Sequence, residues 1–243
     1  MKSTLFIILL AGLILSACSG APVAATPLPV ETATVLAAAP TNNQPMATQA
    51  ATLPAGQPTE TVAAGPVTFK IVPGESRASY EVGETFLNQN NRFNLAIGVT
   101  SVVNGEIYAD LANPPASTLG GISIDISQFT SDSSRRDNAI RRDWLESSRF
   151  PMAVFKPTGI ESLPASYAEG QEYAFRVTGD LTVKETTRPV TFDVTASLQG
   201  DTLTGRAEAT ILMSDFGVGP ISILGVLTTE DQAKLILEFV ARP

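Results

Sequence analysis

Histidine is absent from this 243-residue chain, and there is a single cysteine, Cys18. The first absence removes the commonest general base and the commonest metal ligand. The second rules out an intramolecular disulfide. Together they leave no Ser–His or Cys–His pair for nucleophilic catalysis and little from which to build a zinc, copper or iron site. Charge is scarce as well: 16% of residues are charged, against about 25% in an ordinary globular protein. The deficit is local, since Glu31 and Glu60 are the only charged residues between Lys2 and Pro66. Acidic residues outnumber basic ones 24 to 16, for a net charge of −8. That argues against nucleic acid as a partner, because phosphate binding needs a basic footprint. Nothing in the composition asks for a cofactor.

What is present starts with "MKSTLFIILLAGLILSACSG". Lys2 supplies a positive n-region, and Leu5 to Leu15 is an apolar run of signal length, too short for a comfortable membrane span. The run ends in "LSAC", with the small residues Ser16 and Ala17 before Cys18. This resembles the lipobox of bacterial lipoproteins. The resemblance implies removal of residues 1–17, acylation of Cys18, and a membrane anchor on the outer face of a bacterial membrane, in the cell envelope or periplasm. Acyl chains hold firmly because each buried methylene contributes roughly 0.8 kcal/mol. Residues 18–66 continue as a Pro-, Ala- and Thr-rich stretch without an aromatic side chain. Such a segment cannot bury enough apolar surface to offset its ordering entropy, so it reads as a disordered tether.

From Val67 the composition changes and apolar residues fall on every second position. Ala78, Tyr80 and Val82 alternate with polar neighbours, as do Ile107, Ala109 and Leu111, and Ile122, Ile124 and Ile126. "MAVFKPTGI" (152–160) follows, and then the clearest case, "YAFRVTGDLTVKETTRPVTFDVTASL" (173–198). There Phe175 and Val177 before the turn, and Phe192, Val194 and Ala196 after it, hold the apolar alternate positions, while Arg176, Thr178, Asp193 and Thr195 hold the polar ones. Leu203, Ala207, Ala209 and Ile211 continue the pattern, and "AKLILEFVA" (233–241) ends it. Period-two alternation means strands with one apolar and one wet face, so residues 67–243 form one all-β, antiparallel domain. One segment breaks the period. "TSDSSRRDNAIRRDWLESSRFP" (130–151) predicts a helix from about Ser133 to Leu145, with Ser131 or Asp132 as N-cap and Pro151 as a stop. Ile140 and Trp144 share a face that should dock on the sheet. Arg135, Arg136, Arg141 and Arg142 form a basic set that either meets an anionic headgroup or is neutralised by Asp132, Asp137, Asp143 and Glu146.

Three stretches together resemble the YceI-like family of secreted lipid-binding proteins: "RRDNAIRRDWLESSRFPMAVFKPTGI" (135–160), "YAFRVTGDLTVKETTRPVTFDV" (173–194) and "GRAEATILMSDFGV" (205–218). "SRASYEV" (76–82) fits its opening strand more loosely. The resemblance covers essentially the whole of 67–243. It implies an antiparallel, lipocalin-like β-barrel of about eight strands with one packed α-helix, and an elongated interior that holds a polyisoprenoid or a similar amphiphile. The sequence departs from the family at Glu84, where many members carry a histidine, and around Glu185, where they carry a turn glycine.

Eleven residues on the apolar parity are the candidate ligand-binding wall: Ala78, Tyr80, Val82, Ile107, Ile124, Phe155, Phe175, Val177, Phe192, Val194 and Ala196. An eight-stranded barrel is just wide enough to be filled by its own side chains or to hold one small ligand. The many inward alanines and glycines beside phenylalanines are compatible with either outcome; the family resemblance implies a channel. Three functions remain open on the residues alone. One is a non-catalytic carrier of a long apolar ligand such as a polyisoprenoid, quinone or fatty-acyl lipid. Another is a surface scaffold or adhesion module with a solid barrel, and a homodimer is compatible with both. The third is an enzyme using a carboxylate pair drawn from Asp125, Asp180, Asp193 and Glu208, all on the wet parity.

Overall fold

The computed structural model describes residues 65–243. The signal segment 1–17, Cys18 and the tether up to residue 64 lie outside the described residues. The domain opens at β1 (Val67–Ile71), which runs on through an irregular turn into β2 (Arg77–Phe86). β3 (Arg92–Thr100), β4 (Val103–Asn104) and β5 (Glu106–Ala109) then form one long interrupted stave. β6 (Thr118–Leu119) and β7 (Ile122–Asp125) form the next. β8 (Met152–Glu161), β9 (Glu172–Val183), β10 (Thr186–Gln199) and β11 (Thr202–Leu212) are each continuous. The short β12 (Ser222–Ile223) folds against β13 (Leu227–Arg242), the last stave.

Every neighbouring pair of staves is antiparallel, and the ladder returns on itself. β13 pairs with β11 along one edge and with β2 and then β1 along the other. β1–β2 pairs with β3 and β5, and β4 and β5 pair with β7 and β6. β7, β8, β9, β10 and β11 follow in order. The result is an eight-stave antiparallel barrel of lipocalin-like form, which removes most of the exposed edge an open sheet would have. Its weakest seam flanks β3, which among the described residues is joined on that side only near its end, through Val99 and Thr130. This strand escaped the sequence reading, because its apolar residues belong to the outer wall.

The helix sits between β7 and β8. α1 (Ser134–Ala139) continues without interruption as a π-helical turn, Ile140–Trp144. The N-cap is Ser133, whose hydroxyl accepts from the Arg136 amide, rather than Ser131 or Asp132. Ser131 is drawn off instead by Asp137, which accepts from its hydroxyl at 2.5 Å. The helix also ends before Pro151 acts: Leu145 donates to the Ile140 carbonyl, closing the wide turn, and Glu146 turns out of the helix at φ 48°. Ile140, Phe129 and Ile124 pack beside the buried Ile126, Leu145 and Ala153, which seats the helix on one end of the barrel. The hairpin turn lacking a glycine places Lys184, not Glu185, at positive φ. Its ammonium is held by the Trp144 carbonyl and the Glu146 carboxylate, tying the β9–β10 turn to the helix end.

Candidate functional site: an apolar cavity along the barrel

Phe69, Val103 and Ala241 are fully buried where β1, β4 and β13 meet, and Ile71, Ile122 and Leu198 join them. Beside this cluster a cavity of about 350 Å³ runs through the interior, at the low end of what a small-molecule site occupies. At one end it is bounded by the 110–117 and 163–167 loops, through Leu111, Pro114, Leu163 and Tyr167. At the other end lie Ile140, Trp144 and Leu145 of the helical segment, with Met213, Phe216 and Val218 from the turn after β11. Ser214 holds that turn to β13 through Asp231, donating from both its amide and its hydroxyl.

All eleven candidate wall residues line this cavity. Ala78, Tyr80 and Val82 come from β2, Ile107 from β5, Ile124 from β7 and Phe155 from β8; Phe175 and Val177 come from β9, and Phe192, Val194 and Ala196 from β10. They converge because residues directly opposite each other in an antiparallel pair point to the same face: Val177 faces Phe192, and Phe175 faces Val194. Phe155 and Phe192 meet edge to face at 5.1 Å between centroids, a preferred aromatic arrangement. The space survives where inward residues are small. Gly179 lets the Phe155 ring lie against the β9 backbone, and Gly98 lets the Tyr80 ring do the same on β3. The opposite parity faces outward, with Arg176, Asp180 and Asp193 all exposed.

The wall has one polar station that sequence reasoning missed. Glu84, inward on β2 and only 5% exposed, lines the cavity. Its carboxylate accepts from Arg136 of α1 at 3.0 Å (Nε) and 2.8 Å (Nη2), and from the Asn94 amide at 3.3 Å. The other guanidinium nitrogen of Arg136 donates to the Ser131 hydroxyl at 3.1 Å and also meets Asp132. Glu84 and its second anion hold the Arg136 proton more tightly than water would, outweighing the opposite effect of burial. A fork of this kind is the strongest ion-pair geometry a protein offers. Tyr80 lies close by, packed edge to face on Phe129 at 5.2 Å. Burial pushes its phenol up to about 12, with nearby Asp137, Glu84 and Asp132 acting in the same direction and Arg136 opposing them.

The basic set of the helix thus divides. Arg136 turns inward to Glu84, Arg142 pairs with Asp143, and Arg141 donates to the Asp137 and Ser127 carbonyls. Glu146 pairs with Lys184 rather than with an arginine. Of the wet-side carboxylates only Asp193 and Glu208 are neighbours, directly paired across β10 and β11 on the outer face, with Arg176 and Arg206 beside them. Asp125 caps the turn at Ser127, while Glu208 is held ionised, below its usual range, by Lys234 and Arg206. The one signal for Glu84 in the sequence was its departure from the family's histidine. Its partner lies 52 residues away.

The YceI-like domain model matches residues 69–241. Protein YceI of Escherichia coli O157:H7 is 27% identical over 165 residues, which is 62% of this chain and 82% of that one. A UPF0312 protein of Pseudomonas putida (strain GB-1) is 31% identical over 125 residues, or 48% of this chain; the match spans 61% of the relative's own length. Among solved structures, BcnA of Burkholderia cenocepacia superposes with a TM-score of 0.54 at 21% identity, covering 70% of this chain and 98% of BcnA. A structure described as a polyisoprenoid binding domain from Saccharophagus degradans gives a TM-score of 0.53 at 9% identity, covering 72% and 97%. At such identities these two likenesses speak for the fold. The match along nearly the whole barrel speaks for more: this chain belongs to the YceI-like domain family.

Proposed function

We propose that this protein is a membrane-tethered, extracytoplasmic binding protein that holds one long apolar amphiphile along the barrel axis and performs no chemistry on it. The observation that carries the reading is the cavity: an apolar-walled space of about 350 Å³ running between the two ends of an otherwise packed barrel. Such a wall selects by length and girth, with a few placed polar groups fixing orientation. Polyisoprenoids, quinones and fatty-acyl lipids all meet that description, and the Saccharophagus structure of the same fold is described as a polyisoprenoid binding domain. The eleven wall residues are the proposed contacts, and the tether acylated at Cys18 is the proposed attachment to the outer face of the membrane.

Two experiments test the reading. Ala196→Phe places a ring in the wall at a partly buried position. It should lower uptake of a fluorescent prenyl or acyl probe several-fold with little change in Tm. Failure of the parent protein to bind any such probe defeats the carrier. For the anchor, Cys18→Ser should move the protein from the membrane fraction to the soluble one; retention after a salt wash defeats the tether alone.

A further inference from the structure

We infer that the cavity accepts the polar end of its ligand only as an uncharged group, and that Glu84 sets this rule. The inference rests on the carrier reading and narrows its ligand class to neutral amphiphiles such as long-chain alcohols, amides or quinone-type carbonyls. Prenyl phosphates and ionised fatty acids are excluded.

Three observations carry it. Among the described residues no lysine or arginine lines the cavity, whereas Glu84 and Asp110 do. The Asp110 carboxylate is turned to its own loop, accepting from the Ala112 and Asn113 amides at 3.1 and 2.9 Å. That leaves Glu84 as the charged group presented to the interior. The cation that balances it stands behind it, and its donors go to Glu84, Ser131 and Asp132. Arg136 therefore offers no fork to a phosphate. Asp132 and Asp137 add two further negative charges on the same side. An anionic headgroup entering here would lose its hydration without gaining a counter-ion, and would face a carboxylate across a medium of low dielectric. A neutral headgroup meets no such penalty. Glu84 has accepting capacity left, since an ionised carboxylate has about four lone-pair sites and three donors occupy it. The Tyr80 hydroxyl, in the same wall, stays protonated across the physiological range and donates to a carbonyl or hydroxyl oxygen.

The test compares ligands that share a chain and differ in charge. Titration of the full-length protein with farnesol and with farnesyl monophosphate, followed by emission of Trp144, the single tryptophan and a wall residue, should show the alcohol binding at least about tenfold tighter. In Glu84→Gln the gap should narrow to within about threefold. The phosphate should gain, because Arg136 loses its inward anion, while the alcohol should lose no more than about threefold, because the amide oxygen that replaces the carboxylate still accepts a hydrogen bond. A merely structural role for Glu84 would weaken both ligands together and leave their ratio where it was. One arm needs no variant and so survives a Glu84→Gln protein that fails to fold. Above the fatty acid's own pKa, oleic acid should lose affinity for the wild-type protein by about tenfold per pH unit, as binding of the neutral form alone requires, while oleyl alcohol should hold constant. Equal affinity for alcohol and phosphate, or an oleate affinity flat with pH, overturns the inference and leaves the carrier standing. An unchanged ratio in Glu84→Gln removes Glu84 from it. Failure of every ligand to bind brings down the carrier reading, and the inference with it.

Discussion

Two hairpins of one barrel obey opposite rules. In β9–β10 the inward positions are mostly large and apolar and the outward ones mostly polar, so alternation alone sorts the faces. In β2–β3 the outward positions of β3 carry Phe93, Leu95 and Ile97, at 60%, 48% and 41% exposure, and the inward ones carry Asn94, Ala96 and Gly98. The difference lies in what fills the interior at each place. β9–β10 faces open cavity, which bulky hydrocarbon can line. β3 faces Glu84, which Asn94 serves as a donor, and the Tyr80 ring, which covers Gly98. There is no room on that strand's inner face for a large side chain. The period of two is the same in both hairpins; the polarity assigned to each parity depends on what the neighbouring stave projects.

The largest expected effect tests the β9–β10 half of the comparison. Val177 is 3% exposed, so Val177→Asp buries a carboxylate without a partner and should cost several kcal/mol, a large part of a domain's usual 5–15 kcal/mol. Thr178→Asp, one residue along and on the outer face, should stay within about 0.5 kcal/mol. Urea midpoints of the two variants decide it: similar losses would mean that β9 has no inside and outside.

Inward glycines sharpen the contrast. A methyl on Gly179 would run into the Lys156 carbonyl of the paired strand and the Phe155 ring, while the nearest atoms to one on Gly98 all belong to the Tyr80 side chain. Backbone cannot step aside and a ring can swing. Overpacking costs typically about 1–3 kcal/mol; Gly179→Ala should fall at the upper end and Gly98→Ala at the lower. The reverse order in thermal melts would show that Tyr80 is the less movable wall.

Tyr80 also gives the β2–β3 end a pH signature. Its folded-state pKa is raised, from an ordinary value near 10 to about 12. The stability it contributes is fully present below pH 10 and is lost as pH rises through about 12, because the unfolded chain ionises first. At pH 11 that amounts to roughly 1 kcal/mol, from about 1.4 kcal/mol per unit. Tyr80→Phe should flatten the fall in stability between pH 10 and 12 measured by denaturant titration; an unchanged slope would mean that the phenol is solvated. The smallest effect belongs to the outer ridge. Replacing Phe93, Leu95 and Ile97 singly by threonine should leave stability within about 0.5 kcal/mol each, and a loss above about 2 kcal/mol would show that the ridge is packed against something in solution.

The sequence by itself determined which residues of β2, β5 and β7 to β11 point inward, because side-chain direction along a strand is local and the turns carry recognisable residues. It also placed the helix and its docking residues Ile140 and Trp144 while missing the cap, since three adjacent hydroxyl or carboxylate residues compete for that role and a local bond to Asp137 removes Ser131 from the contest. Tertiary structure alone decided three things. It left a cavity among the inward alanines and glycines, because packing density depends on which side chains meet across the barrel and no strand records that. It reversed the polarity of β3. It joined Glu84 to Arg136, a pairing set by barrel closure and the seating of the helix, because a charge buried on one strand needs its counter-ion from whichever element the fold brings there.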